Sequence, residues 1–163
     1  MEYLNFGWVL HGSLAGSQGP TSQSHLEFLR QKDIRAIVRM EERTISGEAL
    51  ELVDLYEPVP DFTAPRLDQL DRMVCFIDQQ IEEWKRPVVV TCMAGVGRTG
   101  TVLACYLANA GYSPDKAVAL VRELRPGSMP TQGQEDAVHR YAEMLKSRAR
   151  ERGRKAPKAQ GEP

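Results

Sequence analysis

Apolar residues recur along the chain at two spacings, and this pattern predicts strands that alternate with helices. Short apolar pieces separated by glycines within residues 3–16 predict the first two strands. Further apolar runs predict strands at 34–40, 52–59 and 88–92. One-sided apolar spacing and helix-start signals predict helices at 21–33, 66–85, 114–124 and 132–146, and the nearly all-apolar segment 99–110 predicts a buried central helix.

Residues 66–85 carry the clearest helical signal, because their apolar positions lie three or four residues apart and form one stripe. The stripe consists of Leu67, Leu70, Val74, Ile77, Ile81 and Trp84. Helix starts are also marked: Ser24 and Glu27 fit a capping box for the helix at 21–33. Ser113 before Pro114 fits an N-cap followed by proline at the first helical position.

Composition narrows the class of protein. A chain of 163 residues with a net charge of -1 is typical of one globular domain and gives no reason to expect nucleic-acid binding. We predict a domain at residues 1–147 and a basic, disordered tail at 148–163. We expect no signal peptide, no membrane partner and a monomer. Three cysteines without CxxC spacing favour neither a disulfide framework nor a zinc site, so we expect a cytoplasmic location and no metal or cofactor.

The stretch TCMAGVGRTG joins the predicted strand at 88–92 to the predicted helix at 99–110, and has the form C-x-x-G-x-x-R-T. Unpaired backbone N–H groups at a helix start, with glycines that let the turn curl inward, form a cradle for a phosphate dianion. Arginine closes such a cradle with a planar fork of donors, which lysine lacks. We therefore predict a phosphate site made of Met93, Ala94, Gly95, Val96, Gly97 and Arg98.

Cys92 stands at the mouth of this cradle and is the predicted nucleophile. Helix N-termini and cations lower a cysteine thiol pKa from about 8.5 to roughly 3.5–7.5, which favours the reactive thiolate. Thr99 is predicted to donate a hydrogen bond to that thiolate. Asp61, in the proline-rich stretch PVPDFTAPRL, is predicted to be the general acid on a mobile loop. Taken alone, Asp61 is better explained as a turn or helix-entry residue.

The glycines and the cysteine of this stretch also occur in nucleotide-binding loops and in plain buried turns. Gly95, Gly97 and Gly100 match the dinucleotide fingerprint G-x-G-x-x-G, but no second strand ending in an acidic residue follows. The lysine of a Walker phosphate loop is missing as well. A merely buried cysteine beside a tight turn accounts for Cys105, and for Cys75, but it leaves Arg98 unexplained.

These residues resemble the signature H-C-x-x-G-x-x-R-[ST] of the cysteine-dependent protein tyrosine phosphatases. With WVLHGSLAG, VPDFTAP and LRPGSMPTQGQEDAV, the chain is similar over residues 5–145 to the small atypical dual-specificity phosphatases. The resemblance implies an α/β fold, with a central, mostly parallel mixed sheet flanked by helices on both faces. It also implies hydrolysis of phosphotyrosine, and of phosphoserine or phosphothreonine, through a cysteinyl-phosphate without a metal. The partners would be a phosphorylated protein or a small phosphomonoester, and phosphate- or vanadate-type anions.

Three further positions bear on this function. Gln134 matches the glutamine that positions the hydrolytic water in relatives, and it equally fits a capping box with Thr131. Glu41 or Glu42 could brace Arg98 or the loop, although an exposed acidic turn is the better interpretation. Thr91 replaces the family's usual histidine, which predicts slower catalysis or a pH optimum shifted upward. Thr91 is also the one support for the alternative function, a weakly active or inactive phosphate-binding pseudophosphatase.

Overall fold

A five-stranded sheet lies at the centre of residues 2–155, the part of the chain that the computed structural model describes. Its strands stand in the order β1-β2-β5-β3-β4, with β1 and β2 antiparallel and every other neighbouring pair parallel. The predicted mostly parallel mixed sheet is therefore confirmed. The strands are β1 (Gly7–Leu10), β2 (Leu14–Gln18), β3 (Ala36–Arg39), β4 (Val53–Tyr56) and β5 (Val88–Cys92).

Helices cover both faces of this sheet, as predicted. One face carries the first helix, which packs with Leu26 and Leu29 against Ile37 and Val89. The other face carries the remaining four helices over the larger core, where Val88 and Val90 of β5 meet the apolar side of the central helix. The helices are α1 (Gln23–Gln31), α2 (Leu67–Glu82), α3 (Gly97–Asn109), α4 (Pro114–Leu124) and α5 (Gln132–Lys155).

Of the two helix N-caps predicted for α1 and α4, the one for α4 is confirmed and the one for α1 is wrong. Ser113 caps α4 by accepting a hydrogen bond from the Lys116 N–H at 3.3 Å, as predicted. The capping box predicted at Ser24 is wrong, because α1 begins at Gln23 and Ser24 lies inside the helix. Ser22 has an extended backbone and accepts from the His25 N–H at 3.3 Å, so it is the N-cap. The predicted stripe is buried at its centre, whereas Leu67 at its start is exposed, as is Trp84, which lies two residues beyond the end of α2.

The last helix is longer than the sequence indicated. α5 continues to Lys155, so the disorder predicted from residue 148 is wrong for 148–155. Its extension is rich in arginine, which favours helix, and Arg148 makes a two-pronged ion pair with Asp71 at 2.8 and 3.1 Å. The rest of the predicted tail, 156–163, lies outside the described residues. Between residues 2 and 155, no helix is both long and apolar enough to cross a membrane.

Candidate active site

The predicted phosphate loop lies at the carboxyl end of β5, the middle strand of the sheet. β5 ends at Cys92 and α3 begins at Gly97, so the intervening turn occupies residues 93–96. In open parallel sheets, ligands bind at this edge, beyond the carboxyl ends of the strands. The glycine at position 95 is needed there. Gly95 has a φ of +75°, and a Cβ on it would lie 2.6 Å from the backbone carbonyl carbon of Ser17.

Arg98 lies in the first turn of α3 and is almost completely buried, with 2% of its surface exposed. Its Nη1 donates to the Val59 carbonyl at 2.7 Å. Its Nη2 lies 3.2 Å from Oδ1 of Asp61, but without the alignment of a hydrogen bond. Over the described residues, Nε and Nη2 therefore have no hydrogen-bond acceptor. Buried charged donors without acceptors are costly, and an anion bound in the loop would satisfy them.

Asp61 reaches the phosphate loop from a separate turn that follows β4. Its side chain is about half exposed, and Oδ1 also accepts from the Phe62 N–H at 2.9 Å. Thr63 closes the turn by donating from its hydroxyl to the Pro60 carbonyl at 2.6 Å. Asp61 is thus both a turn residue and a neighbour of Arg98, so the turn role and a role in the site are compatible. Its role as the acid stays a prediction.

Thr99 and Gln134, the other two predicted catalytic residues, are both buried. Thr99 stands in the first turn of α3, and its hydroxyl has no hydrogen-bond partner within residues 2–155. Gln134 forms the predicted capping box, because its N–H donates to Thr131 Oγ1 at 3.2 Å and its Oε1 accepts from the Thr131 N–H at 3.4 Å.

Gln134 also touches both loops of the site. Its Nε2 donates to the Thr63 carbonyl of the Asp61 turn at 3.2 Å. A Cβ added at Gly97 would lie 2.9 Å from the same nitrogen, so the amide rests directly against the phosphate loop. The water-positioning role of Gln134 stays a prediction, and its position between the two loops is compatible with that role.

Glu41 is placed differently from the sequence expectation. It is 2% exposed rather than part of an exposed acidic turn, whereas Glu42 is exposed. The Glu41 carboxylate accepts from the Thr91 hydroxyl at 2.9 Å and from the Met40 N–H at 3.1 Å. Glu41 therefore braces the residue immediately before Cys92, not Arg98. The hydrogen bond between Thr91 and the Glu41 carboxylate could not be predicted from the sequence.

The three cysteines have distinct surroundings, and all three thiols are free. Cys92 is buried at the end of β5, in the predicted phosphate loop. Burial raises the pKa of Cys105, which lies inside α3. Partial burial and, next, the neighbouring Asp71 raise the pKa of Cys75 in α2. Both cysteines lie inside helices, as predicted. Cys105 is buried as expected, whereas the burial expected of Cys75 is wrong, because Cys75 is on an exposed position of α2.

Arg125 is a site residue that sequence reasoning missed. It lies just after α4, is 5% exposed, and donates from Nη2 to the Gly95 carbonyl within the phosphate loop. The sequence offers little signal for it, because one arginine after an amphipathic helix is ordinarily a surface residue. The turn-forming Pro126 and Gly127 that follow indicate only that the chain changes direction there.

A Cys-x5-Arg loop between the central strand and a buried helix is the architecture of the cysteine-dependent tyrosine and dual-specificity phosphatases. Comparisons with known proteins agree with this class. The sequence model described as "Polymorphic toxin system, DSP-PTPase phosphatase" matches residues 13–112. The chain therefore belongs to the DSP-PTPase phosphatase family.

Individual relatives give the same result. The chain is 26% identical to the human dual specificity protein phosphatase CDC14A over 144 residues, which cover 79% of this chain and 24% of that protein. It is 36% identical to the zebrafish (Danio rerio) protein tyrosine phosphatase domain-containing protein 1 over 52% of this chain and 12% of that protein. The chain thus spans only a fraction of the length of these curated relatives.

A solved structure matches nearly from end to end. The crystal structure of Tk-PTP in the active form superposes with a TM-score of 0.79 at 30% identity, and the match covers 87% of this chain and 99% of that one. This likeness supports the α/β phosphatase fold independently of the sequence model.

Proposed function

We propose that the chain is an active phosphatase that hydrolyses phosphomonoesters through a cysteinyl-phosphate intermediate. One observation carries the proposal: the buried guanidinium of Arg98 keeps two N–H-bearing nitrogens without acceptors among the described residues, in the loop that begins at Cys92. A structural arginine at this burial would have aligned acceptors, as Arg39 has in Asp54 through two hydrogen bonds of 2.7 and 2.8 Å, whereas the Asp61 carboxylate beside Arg98 is not aligned as an acceptor. A phosphate dianion accepts in the two-pronged geometry that Arg98 offers.

The reaction then has two steps. In the first, the Cys92 sulfur attacks phosphorus, the ester bond breaks, and Asp61 gives its proton to the departing oxygen. In the second, water attacks the phosphorus of the cysteinyl-phosphate, and Asp61 takes a proton from that water. The S–P bond breaks, phosphate leaves, and Cys92 is restored. Arg98 and the backbone N–H groups of residues 93–98 stabilise the charge on the phosphoryl oxygens in both steps.

The surroundings of the loop support an aryl phosphate as substrate, with phosphotyrosine in a protein as the first choice and phosphoserine or phosphothreonine as further substrates. Phe62 follows the predicted acid and is 71% exposed, and Met93 follows the predicted nucleophile and is 55% exposed. Exposed apolar groups next to both reacting residues suit an aromatic ring better than a short aliphatic side chain. The net charge of -1 supports protein rather than nucleic acid as the carrier.

We also propose a cytoplasmic location and a monomer. A reducing compartment suits the mechanism, because Cys92 has to stay a free thiol and all three cysteines are free.

Hydrolysis of p-nitrophenyl phosphate from pH 5 to 8 in EDTA tests the activity. We expect turnover in the wild type, none in Cys92→Ser, and a strong reduction in Asp61→Asn. Cys75→Ser is the matched control, since it makes the same substitution at an exposed cysteine away from the loop and should leave turnover unchanged. Initial rates on tyrosine-, threonine- and serine-phosphorylated versions of one peptide then test the substrate class.

The alternative function, a weakly active or inactive phosphate-binding pseudophosphatase, has Thr91 as its support. The same experiment separates it from the phosphatase. No turnover in the wild type, with vanadate or phosphate still bound in isothermal titration calorimetry, would contradict the phosphatase and favour the binding protein.

A further inference from the structure

A second buried guanidinium, that of Arg125, lies against the phosphate loop. Besides its hydrogen bond to the Gly95 carbonyl, Nη2 donates to the Asn5 carbonyl at 2.9 Å, and Nη1 lies 3.5 Å from the Gly7 carbonyl. A Cβ at Gly16 of β2 would lie 2.8 Å from Arg125 Nε, so the side chain fills the space between that strand and the loop. Nε has no acceptor among the described residues.

Arg125 has no carboxylate partner within the described residues. The other buried arginine outside the loop, Arg39, pairs with Asp54. The hydrogen bonds of Arg125 all go to backbone carbonyls. The acidic groups of the site are engaged elsewhere, because Asp61 faces Arg98 and Glu41 accepts from Thr91. Burial lowers the pKa of Arg125 from its ordinary value, and the Cys92 sulfur nearby acts in the opposite direction. Arg125 therefore brings a positive charge without a carboxylate partner to the loop that begins at Cys92, through its hydrogen bond to the Gly95 carbonyl.

The hydrogen bond to Gly95 also sets the direction of a peptide in the loop. In a planar trans peptide, the C=O and the N–H point to opposite sides. Because the Gly95 carbonyl points to Arg125, the N–H of Val96 points to the other side of the loop. That is the side where the phosphate cradle requires donors. Gly95 adopts this conformation with a positive φ, so a flip of the peptide is open to it unless a partner fixes the carbonyl.

We propose that Arg125 is a positioning residue of the active site, with two effects. It fixes the Gly95–Val96 peptide so that the Val96 N–H faces the substrate phosphate. It also supplies a second buried positive charge that favours the Cys92 thiolate, in a chain where Thr91 stands in place of the histidine usual before the nucleophile. This inference rests on the proposed phosphatase function.

The test compares Arg125→Met and Arg125→Lys with the matched control Arg122→Met, all in a Cys75→Ser background. Arg122 lies in the last turn of α4, three residues before Arg125, and also donates to carbonyls, those of Ser128 and Met129, but not to the loop. The first readout is the pH at which iodoacetamide alkylation of Cys92 reaches half its maximum rate. We expect that midpoint to rise by about one pH unit in Arg125→Met, by less in Arg125→Lys, and not at all in the control.

The second readout separates peptide positioning from charge. We expect kcat for p-nitrophenyl phosphate to fall about 10- to 100-fold in Arg125→Met, because a loop donor is misplaced. Arg125→Lys keeps the charge without the planar fork, so its kcat should fall while its alkylation midpoint stays closer to the wild type. An Arg125→Met protein that folds with unchanged midpoint and kcat overturns the proposal. An equal loss in Arg122→Met also overturns it. If Arg125→Met does not fold, Arg125→Lys decides: a midpoint and a kcat equal to those of the wild type overturn the positioning role.

Failure of the proposed function gives a different result. Alkylation needs no turnover, so an inactive wild type with a midpoint that still depends on Arg125 would remove the phosphatase function and keep the charge effect. An active wild type with no dependence on Arg125 would do the reverse.

Discussion

Replacing Thr91 with valine should destabilise the protein more than its small change in shape indicates. Valine keeps the approximate volume of threonine but removes the hydroxyl that donates to the Glu41 carboxylate at 2.9 Å. Because Glu41 is 2% exposed, water cannot easily replace the lost donor. A hydrogen bond to a charged group contributes about 1.5–3 kcal/mol, so we expect the free energy of unfolding to fall by that amount.

The magnitude converts directly into a melting temperature. A domain of this size loses about 2–4 °C per kcal/mol, so Thr91→Val should lower Tm by about 3–12 °C. Differential scanning calorimetry in a phosphate-free buffer measures it. Thr101→Val is the matched control, since Thr101 is equally buried but donates to a neutral acceptor, the Gly97 carbonyl at 3.1 Å. The control should lose less, about 0.5–1.5 kcal/mol.

A double-mutant cycle with Glu41→Gln makes the test stricter. If the contact is the cause, the two substitutions together should destabilise by clearly less than the sum of their separate effects. Equal Tm losses in Thr91→Val and Thr101→Val, or purely additive effects in the cycle, would refute the reasoning.

Three further predictions concern the loop and the three cysteines. Gly95→Ala should lower kcat/KM by more than about 100-fold, since its Cβ would meet backbone at 2.6 Å, whereas Gly133→Ala, with open space around it, should not change kcat/KM. Thr91→His should lower the pH midpoint of Cys92 alkylation, and identical midpoints would contradict the role assigned to this position. Because their pKa values are raised, Cys105 and Cys75 carry less thiolate at neutral pH. Mass spectrometry after brief alkylation at pH 7 should therefore find Cys75 slow and Cys105 unmodified, and rapid modification of Cys105 would contradict the burial argument.

The order of strands and helices could be predicted because it depends on local spacing of apolar residues. The site loop could be predicted because Cys92, Gly95 and Arg98 lie within seven consecutive residues. A phosphate site in the turn between a strand and a helix explains all three residues together. Asp61 could be predicted as a residue near the loop, because a phosphatase loop requires a general acid. Its carboxylate does lie 3.2 Å from Arg98.

The parts that could not be predicted depend on contacts between distant segments. Glu41 was expected in an exposed turn, and only its approach to Thr91, 50 positions away, makes it a buried partner. Arg125 reaches Gly95 from 30 positions further along the chain. The helical extension of α5 likewise includes a contact of Arg148 with Asp71, 77 positions earlier, which no local pattern in the sequence indicates.

Two buried guanidinium groups around one loop have a consequence for how the protein responds to its own product. Within residues 2–155, Arg98 keeps two nitrogens without acceptors at the site, and Arg125 adds a positive charge on the other side of the loop, so the fold carries unsatisfied positive charge there. A ligand that binds only the folded state stabilises it by about 2.7 kcal/mol at a concentration of 100 times its Kd. Free phosphate would therefore make the protein more resistant to heat while it occupies the site that substrate needs. Thermal stability and available activity should consequently change in opposite directions as phosphate accumulates.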